Sequence, residues 1–396
     1  MPPAAGAVRR VHDALLEARR HLVARDEATI ALQVALAQVP APTGAEGGRA
    51  AVVQRHLRAL QLEPRIDEAG NVVAERRGTE GGAPVVVCAH LDTVFDATVS
   101  HQVQRAGGVI RGPGIGDNAR GVAAMLAIAA ALDAGAVRTR RPILFAATTG
   151  EEGTGDLRGA RHLFATAASG AHAAIALDGP GDERVVTHAL GTRRLRVRCT
   201  GPGGHSWASF GVVNAVHAVA ALAAQLAALP LPATPRTTLT VSRIGGGTAI
   251  NAIPGEAWLE VDLRSTSAAE LDRLGAAVSA QAARILASHN AGRRPGTPAL
   301  QLELTPLGDR PGGAIAPDAE LAHAAFEATR LVGRTPEAAV ASTDANIPLH
   351  LGIPAVALGA GGRGGDVHTT REWFENRDGA LGLIRAMTVL AAAAGV

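Results

Sequence analysis

The stretch Val85-Val86-Val87-Cys88-Ala89-His90-Leu91-Asp92-Thr93-Val94 decides the fold. Its first five residues are apolar without alternation, the pattern of a strand covered on both faces. The polar residues come at its end. His90 and Asp92 are two apart, so on an extended chain they point to the same side. They emerge where open α/β sheets place their sites, at the carboxyl ends of the strands. Taken alone, the pair also suits a hydrogen-bonded histidine followed by a turn-capping aspartate, so the surrounding chain must decide.

Upstream, from about Val8 to Leu60, apolar residues recur at helical spacing, interrupted at Val39-Pro40-Ala41-Pro42-Thr43-Gly44. Thr43 is placed to cap the next helix, with Glu46 three residues on. Asn71-Val72-Val73-Ala74 follows as a strand after a Gly-Asn turn. Downstream, Gly112-Pro113-Gly114-Ile115-Gly116-Asp117-Asn118 opens into an apolar helix from about Arg120 to Leu132. A strand from Ile143 to Ala147 leads into Thr149-Gly150-Glu151-Glu152-Gly153, and a strand from Ala173 to Leu177 ends in Asp178. Strand, polar loop and helix repeat. This predicts an α/β fold, a mostly parallel sheet with helices on both faces.

Near Gly191 the pattern changes. Leu195-Arg196-Val197-Arg198-Cys199 alternates as a half-exposed strand does. A helix from about Val212 to Leu229, strands at Thr237 to Ile244 and Ala257 to Leu263, a helix from Ala268 to Ser288 and a strand from Leu300 to Thr305 follow. The order βαββαβ predicts a smaller α+β domain with a four-stranded antiparallel sheet. The expected organisation is therefore a first catalytic part at 1–190, an inserted domain at 191–308 and a second catalytic part at 309–396.

A chain of 396 residues suits two domains, and 47% apolar against 19% charged residues marks a globular protein. A net charge of +2, scattered in both signs and with few aromatics, argues against nucleic-acid binding. The basic residues are all arginine, so a phosphate loop that requires lysine is excluded. The run Gly112 to Gly116 invites a dinucleotide-binding reading, but Asp117 stands where the third glycine belongs. No GxSxG nucleophile elbow occurs. Cys88 and Cys199 lie in strand patterns and read as buried reduced thiols, and no apolar run is long enough for a membrane span. A soluble cytoplasmic protein is expected.

The polar residues at strand ends and in the following loops are His90, Asp92, Asp117, Glu151, Glu152, Asp178 and His368. Each has an ordinary reading: Asp117 could cap its helix, Glu151-Glu152 could be a solvated turn, and Asp178 could begin the turn at Gly179-Pro180. Together at one sheet edge, imidazoles and carboxylates form a donor set for zinc, with cobalt or manganese as alternatives. Five such ligands serve two ions if one carboxylate is shared.

On these residues the chain resembles the dinuclear zinc hydrolases that include carboxypeptidase G, peptidase T, acetylornithine deacetylase and succinyl-diaminopimelate desuccinylase. The motifs carrying the resemblance are AHLDTV (89–94), GIGDNARG (114–121), TGEEG (149–153), LDGP (177–180), GPGGHS (201–206), GGTAINAIP (246–254), DLRS (262–265) and GGDVHTTREW (364–373). The resemblance implies two Zn2+ per subunit. His90 and Asp178 would hold one ion and Glu152 and His368 the other, with Asp117 on both. Asp92 would orient His90, and the peptide between Asp117 and Asn118 would be cis. It further implies a homodimer in which His205 of the neighbouring subunit stabilises the oxyanion, with Asn251 and Arg264 gripping substrate. Glu151 is then the general base, because Glu152 is taken up by metal.

The substrate reading is divided. Ser342-Thr343-Asp344-Ala345-Asn346-Ile347-Pro348, with the glycines before His368, looks like the peptidase-T-like members, whereas the short interval from His90 to Asp117 looks closer to the carboxypeptidase G and desuccinylase side. The expectation is an exopeptidase on short peptides, with N-acyl-amino-acid deacylation second. A non-catalytic binding protein on the same fold is a third reading.

Overall fold

The computed structural model describes residues 3–396. Contacts divide the chain into two units, Met1–Ala189 with Gly313–Val396, and Leu190–Gly312.

In the first unit the apolar run becomes the strand Val85–His90, with all six side chains buried. Burial on both sides of the pleat requires cover on both faces of the sheet. The strand pairs in parallel with Ile143–Thr148 and with Ala173–Leu177, and the latter pairs in parallel with Ala355–Leu358. Antiparallel strands flank this centre. Val72–Arg76 and then Arg65–Ile66 lie beyond Ile143–Thr148, and Arg184–Ala189 lies beyond Ala355–Leu358. Gly313–Ala314 and Glu337–Ala341 complete a nine-stranded sheet. In register, His90 stands level with Thr148, and Leu177 with Leu358. The carboxyl ends of the parallel strands are therefore flush, and the loops that follow them leave from one edge.

The helices Ala119–Ala134 and Gly379–Ala394 pack against the central strands and are buried on most of their surface, so they are apolar nearly all round. Pro3–Ala14, Leu16–Ala24, Asp26–Ala37 and Gly47–Ala59 account for the helical spacing near the amino end.

One small sheet has no counterpart in the sequence reading. The three-residue strands Arg363–Gly365, Trp373–Glu375, Val109–Arg111 and Gln104–Ala106 pair antiparallel in that order. Strands this short show no periodicity to read. Their pairing sets the loop after Arg111 beside the turn before Trp373, which matters below.

The second unit holds the strands Thr237–Gly246, Glu256–Ser265, Gly191–Thr200 and Gln301–Arg310 in that spatial order, all antiparallel. Ala215–Ala227 and Ala268–Ala291 pack on the sheet and close a separate core around Val197, Cys199, Leu222, Leu259 and Leu274. The last strand runs to Arg310, so the boundary expected at 308 falls inside it. The short ladder of Gly204–His205 with Ala252–Ile253 joins two glycine-rich loops. Both cysteines are free and buried. No helix among the described residues is long and apolar enough to cross a membrane.

Candidate active site

Asp117 is the centre of the polar cluster. Its Oδ1 lies 3.0 Å from His90 Nε2, and its Oδ2 lies 3.1 Å from His368 Nε2. His90 Nε2 is also 4.0 Å from Asp178 Oδ1, and His368 Nε2 is 2.8 Å from Glu152 Oε1. One carboxylate thus faces two imidazoles, each with a further carboxylate beside it. Single ligand atoms of His90, Asp117 and Glu152 all fall within 4.8 Å of one another. The donor chemistry fits divalent cations: imidazole nitrogens and carboxylate oxygens converge from separate loops on one place.

The helix after Asp117 shows why its carboxylate is available. Asn118 is the N-cap of Ala119–Ala134, its Oδ1 accepting from Gly121 N–H at 3.1 Å. Asn118 Nδ2 donates to Leu177 O at 2.8 Å, which ties the loop to the strand before Asp178. Asp117 is therefore relieved of capping. The Asp117–Asn118 peptide is cis, as the resemblance implies.

The electrostatics show three crowded carboxylates sharing two imidazoles. Burial raises the pKa of Asp117, but His368 and His90 together hold it far below the usual carboxylate range. Asp178 goes the other way, pushed up to about 7 by burial and the Asp117 charge, with Glu152 adding to it against the pull of His90. Hydrogen bonds to Asp117 and Glu152 push His368 up to about 10 despite its partial burial. Burial lowers the pKa of His90, yet Asp117, Asp92 and Glu151 raise it well above the ordinary imidazole value.

Asp92 is fully buried and organises the neighbouring loop. Its Oδ1 accepts from Glu151 N–H at 3.0 Å, and its Oδ2 accepts from Glu152 N–H at 2.9 Å and from the Thr43 hydroxyl at 2.9 Å. Burial opposes its ionisation, but the His90 ring and the two amides bring its pKa down to about 2. His90 Nδ1 lies 3.1 Å from the Asp92 carbonyl oxygen and 3.6 Å from the carboxylate. An Nδ1–H donated to that carbonyl leaves the Nε2 lone pair facing the cluster, where it could serve a cation. Thr43 is bound to Asp92 and makes no helix cap. Gly47–Ala59 begins after Glu46, whose side chain makes no cap bond either. Glu46 Oε1 instead accepts from Gly44 N–H at 2.9 Å, Gly150 N–H at 3.1 Å and Arg158 Nη2 at 2.7 Å. The capping-box reading fails because both side chains are drawn to the Glu151 loop. Glu151 itself is buried, within electrostatic reach of His90.

Two further buried groups support the cluster. Glu372 accepts backbone N–H groups from the loop that ends in Asp117, and burial pushes its pKa up to about 7 against the lowering by those bonds. Arg49, fully buried, donates Nε to Val39 O at 3.0 Å and Nη1 to Leu91 O at 2.9 Å. Burial lowers its pKa to about 10, so it stays charged among Asp92, Glu372 and Asp117. Glu372 and Arg49 were not picked out from sequence, and Glu46 only as a partner in a helix cap; of the three, only Glu372 lies inside a quoted motif. A cleft of about 890 Å³ adjoins Asp117 and Asp178, lined among others by Pro180, Asp182, Arg334, Arg363 and Trp373.

The remaining three expected residues belong to the second unit. His205 and Asn251 come together across the short ladder, in which His205 pairs with Ala252. Ser206 N–H donates to Asn251 O at 2.9 Å. His205 Nδ1 accepts from Trp207 N–H at 3.2 Å and Ala208 N–H at 3.4 Å, and the ring is exposed. Arg264 lies on Glu256–Ser265 and donates Nε and Nη2 to the Asp262 carboxylate at 2.7 and 3.3 Å.

Fold and site define a hydrolytic enzyme of the metallopeptidase and amidohydrolase class. Residues 86–393 match Peptidase family M20/M25/M40, and the chain belongs to that family. No curated protein sequence matches it. Among solved structures, the aminopeptidase PepT of Bacillus cereus is 22% identical, with 95% of this chain and 99% of that one covered at a TM-score of 0.74. A tripeptidase of Staphylococcus aureus is 22% identical, covering 92% and 98% at a TM-score of 0.75. A dinuclear metal-binding peptidase of the M20 family from Bacillus subtilis is 17% identical, covering 93% and 98% at 0.67. At these identities the likeness is one of fold.

Proposed function

We propose that the protein is a metal-dependent exopeptidase acting on short peptides, with two divalent cations, Zn2+ foremost, at the sheet edge and Glu151 as general base. The observation that carries this reading is the placement of Asp117, one oxygen against His90 and the other against His368. His90 and Asp178 would hold one ion and Glu152 and His368 the other, with Asp117 on both. Ions bound there would supply Lewis-acid chemistry, acidifying water and polarising an amide carbonyl.

The chain's own groups supply the rest. Glu151 takes the proton of the attacking water and returns it to the leaving amine. Asp92 and Glu46 hold the backbone on which Glu151 stands, through the amides of Gly150, Glu151 and Glu152. His205 from a second copy of the chain donates to the oxyanion. Its Nδ1 accepts from two amides, so the proton resides on Nε2 as such a donor requires. Asn251 and Arg264 hold the substrate, Arg264 through donors directed by Asp262.

Several features favour peptides. The aminopeptidase and the tripeptidase align over almost their whole length. The cleft beside Asp117 and Asp178 has a volume suited to a ligand of a few residues. Deacylation of N-acyl amino acids is the second reading, favoured by the short His90–Asp117 interval. The test is hydrolysis by Zn2+-loaded protein of matched substrates, free-amine di- and tripeptides against N-acylated amino acids. Cleavage of the free-amine set alone is expected. Cleavage of the acylated set alone would overturn the peptidase reading, and silence on both with two ions bound would favour a binding role.

A further inference from the structure

We infer that Glu372 is a positioning residue that locks together the two segments carrying Asp117 and His368 before any ion arrives. This rests on the metal reading above. The two ligands are far apart in sequence, and their side chains meet at 3.1 Å. Both are borne on irregular backbone, Asp117 at the end of a glycine loop and His368 in a tight turn. Asp366 and His368 have φ of +52° and +64°, left-handed values that cost energy for residues with a side chain. Something outside the turn must hold it.

Glu372 does so from the end of that turn. Its N–H donates to Thr369 O at 3.1 Å, and Thr369 N–H donates to Asp366 O at 3.1 Å, which closes the segment around His368. The antiparallel pairing of Trp373 with Arg111 brings Glu372 opposite Gly112, and Gly112 N–H donates to Glu372 O at 3.0 Å. The side chain then turns into the glycine loop. Oε2 accepts from Gly114 N–H at 3.0 Å, and Oε1 accepts from Gly116 N–H at 2.7 Å and Asp117 N–H at 2.8 Å. One buried carboxylate thus gathers three amides of the loop, those of Gly114, Gly116 and Asp117 itself.

The glycines that resembled a nucleotide-binding loop acquire a reason here. A Cβ on Gly116 would sit 3.2 Å from Glu372 Oε1 and 3.3 Å from Pro180 Cδ. Gly114 has φ +67°, and a Cβ there would meet Thr93 Cγ2 at 2.6 Å. The loop is a cradle for a protein carboxylate in place of a phosphate. Arg49, buried close by, provides the compensating charge.

The test is titration of the metal-free full-length chain with Co2+ alone, followed by visible absorption, in wild type, Glu372→Gln and Glu372→Ala. Amide exchange of residues 112–117 is measured on the same metal-free samples. Val389→Ala, in the closing helix, provides a destabilised control that leaves the loop intact. The wild type should take two Co2+. Glu372→Ala should weaken the binding of at least one ion by tenfold or more, alter the absorption band and accelerate exchange at Gly114 and Gly116. Glu372→Gln, which keeps the volume and one acceptor, should fall between and serves alone if the alanine variant does not fold. Val389→Ala should lower the melting temperature without changing the Co2+ spectrum. Unchanged Co2+ affinity, spectrum and exchange in the Glu372 variants would overturn the positioning role with the metal reading intact. A wild type that binds no Co2+ would overturn both.

Discussion

The two units treat their polar residues in opposite ways. At the sheet edge of the first, His90, Asp92, Glu151 and Glu152 are buried, and His90 touches Asp117 as His368 touches Glu152. In the second, His205 and Asn251 are exposed, and their loops also expose Trp207 (87%), Phe210 (82%) and Ile250 (105%). The first set is assembled by its own fold; buried carboxylates on backbone amides fix it before a ligand comes. The second is fixed only locally, with large apolar side chains exposed beside it; under the proposed function a second copy of the chain would cover them.

The largest effect should come from within the assembled set. Glu151→Gln should lower kcat by about a thousandfold while the bound metal, counted by elemental analysis, stays unchanged. Near wild-type turnover would remove Glu151 from the mechanism.

His205→Ala probes the other side. It should cost about a hundredfold in kcat with metal content and melting temperature unchanged. If the residue comes from a second copy, mixing inactive Glu151→Gln with inactive His205→Ala should restore activity, since a hybrid pair contains one intact site. No recovery on mixing, after subunit exchange has been demonstrated, would confine each site to one chain.

A smaller effect concerns protons. In the metal-free protein Asp178 titrates at about 7 and His368 at about 10, both raised. Ions bind the deprotonated donors, so binding releases protons and affinity rises with pH. Zn2+ affinity should therefore fall by about tenfold or more per pH unit below 7. An affinity flat between pH 6 and 8 would contradict the crowding of charge at this edge. The smallest effect is expected for Thr43→Val, which removes one hydrogen bond to Asp92. It should cost about 1 kcal/mol of stability and slow turnover a few-fold, seen by thermal denaturation and steady-state rates.

The side chains with their own chemistry were the legible part. His90, Asp117, Glu152, Asp178 and His368 sit at strand ends or in glycine loops, where sequence pattern and fold agree. The supporting groups were not legible, because their partners are backbone amides, which have no letter in a sequence. Glu46 and Thr43 spell a helix cap, yet both serve the Glu151 loop. Glu372 follows His368 by four residues, and nothing in that spacing tells that it reaches the amides of Gly114, Gly116 and Asp117. The three-residue strands that bring it there are too short for periodicity to reveal. In the second unit the element order βαββαβ pointed to the four-stranded antiparallel sheet but not to the order of its strands, and the last strand runs two residues past the predicted boundary, to Arg310.

The most direct measurement of the central claim, that Asp117 is shared by two ion sites, is a count of bound ions by equilibrium dialysis against Zn2+ in three proteins. The wild type should hold two per chain, Asp178→Asn one, and Asp117→Asn fewer than one, because both sites lose a ligand together. Two ions retained by Asp117→Asn, or a single ion in the wild type, would contradict the account.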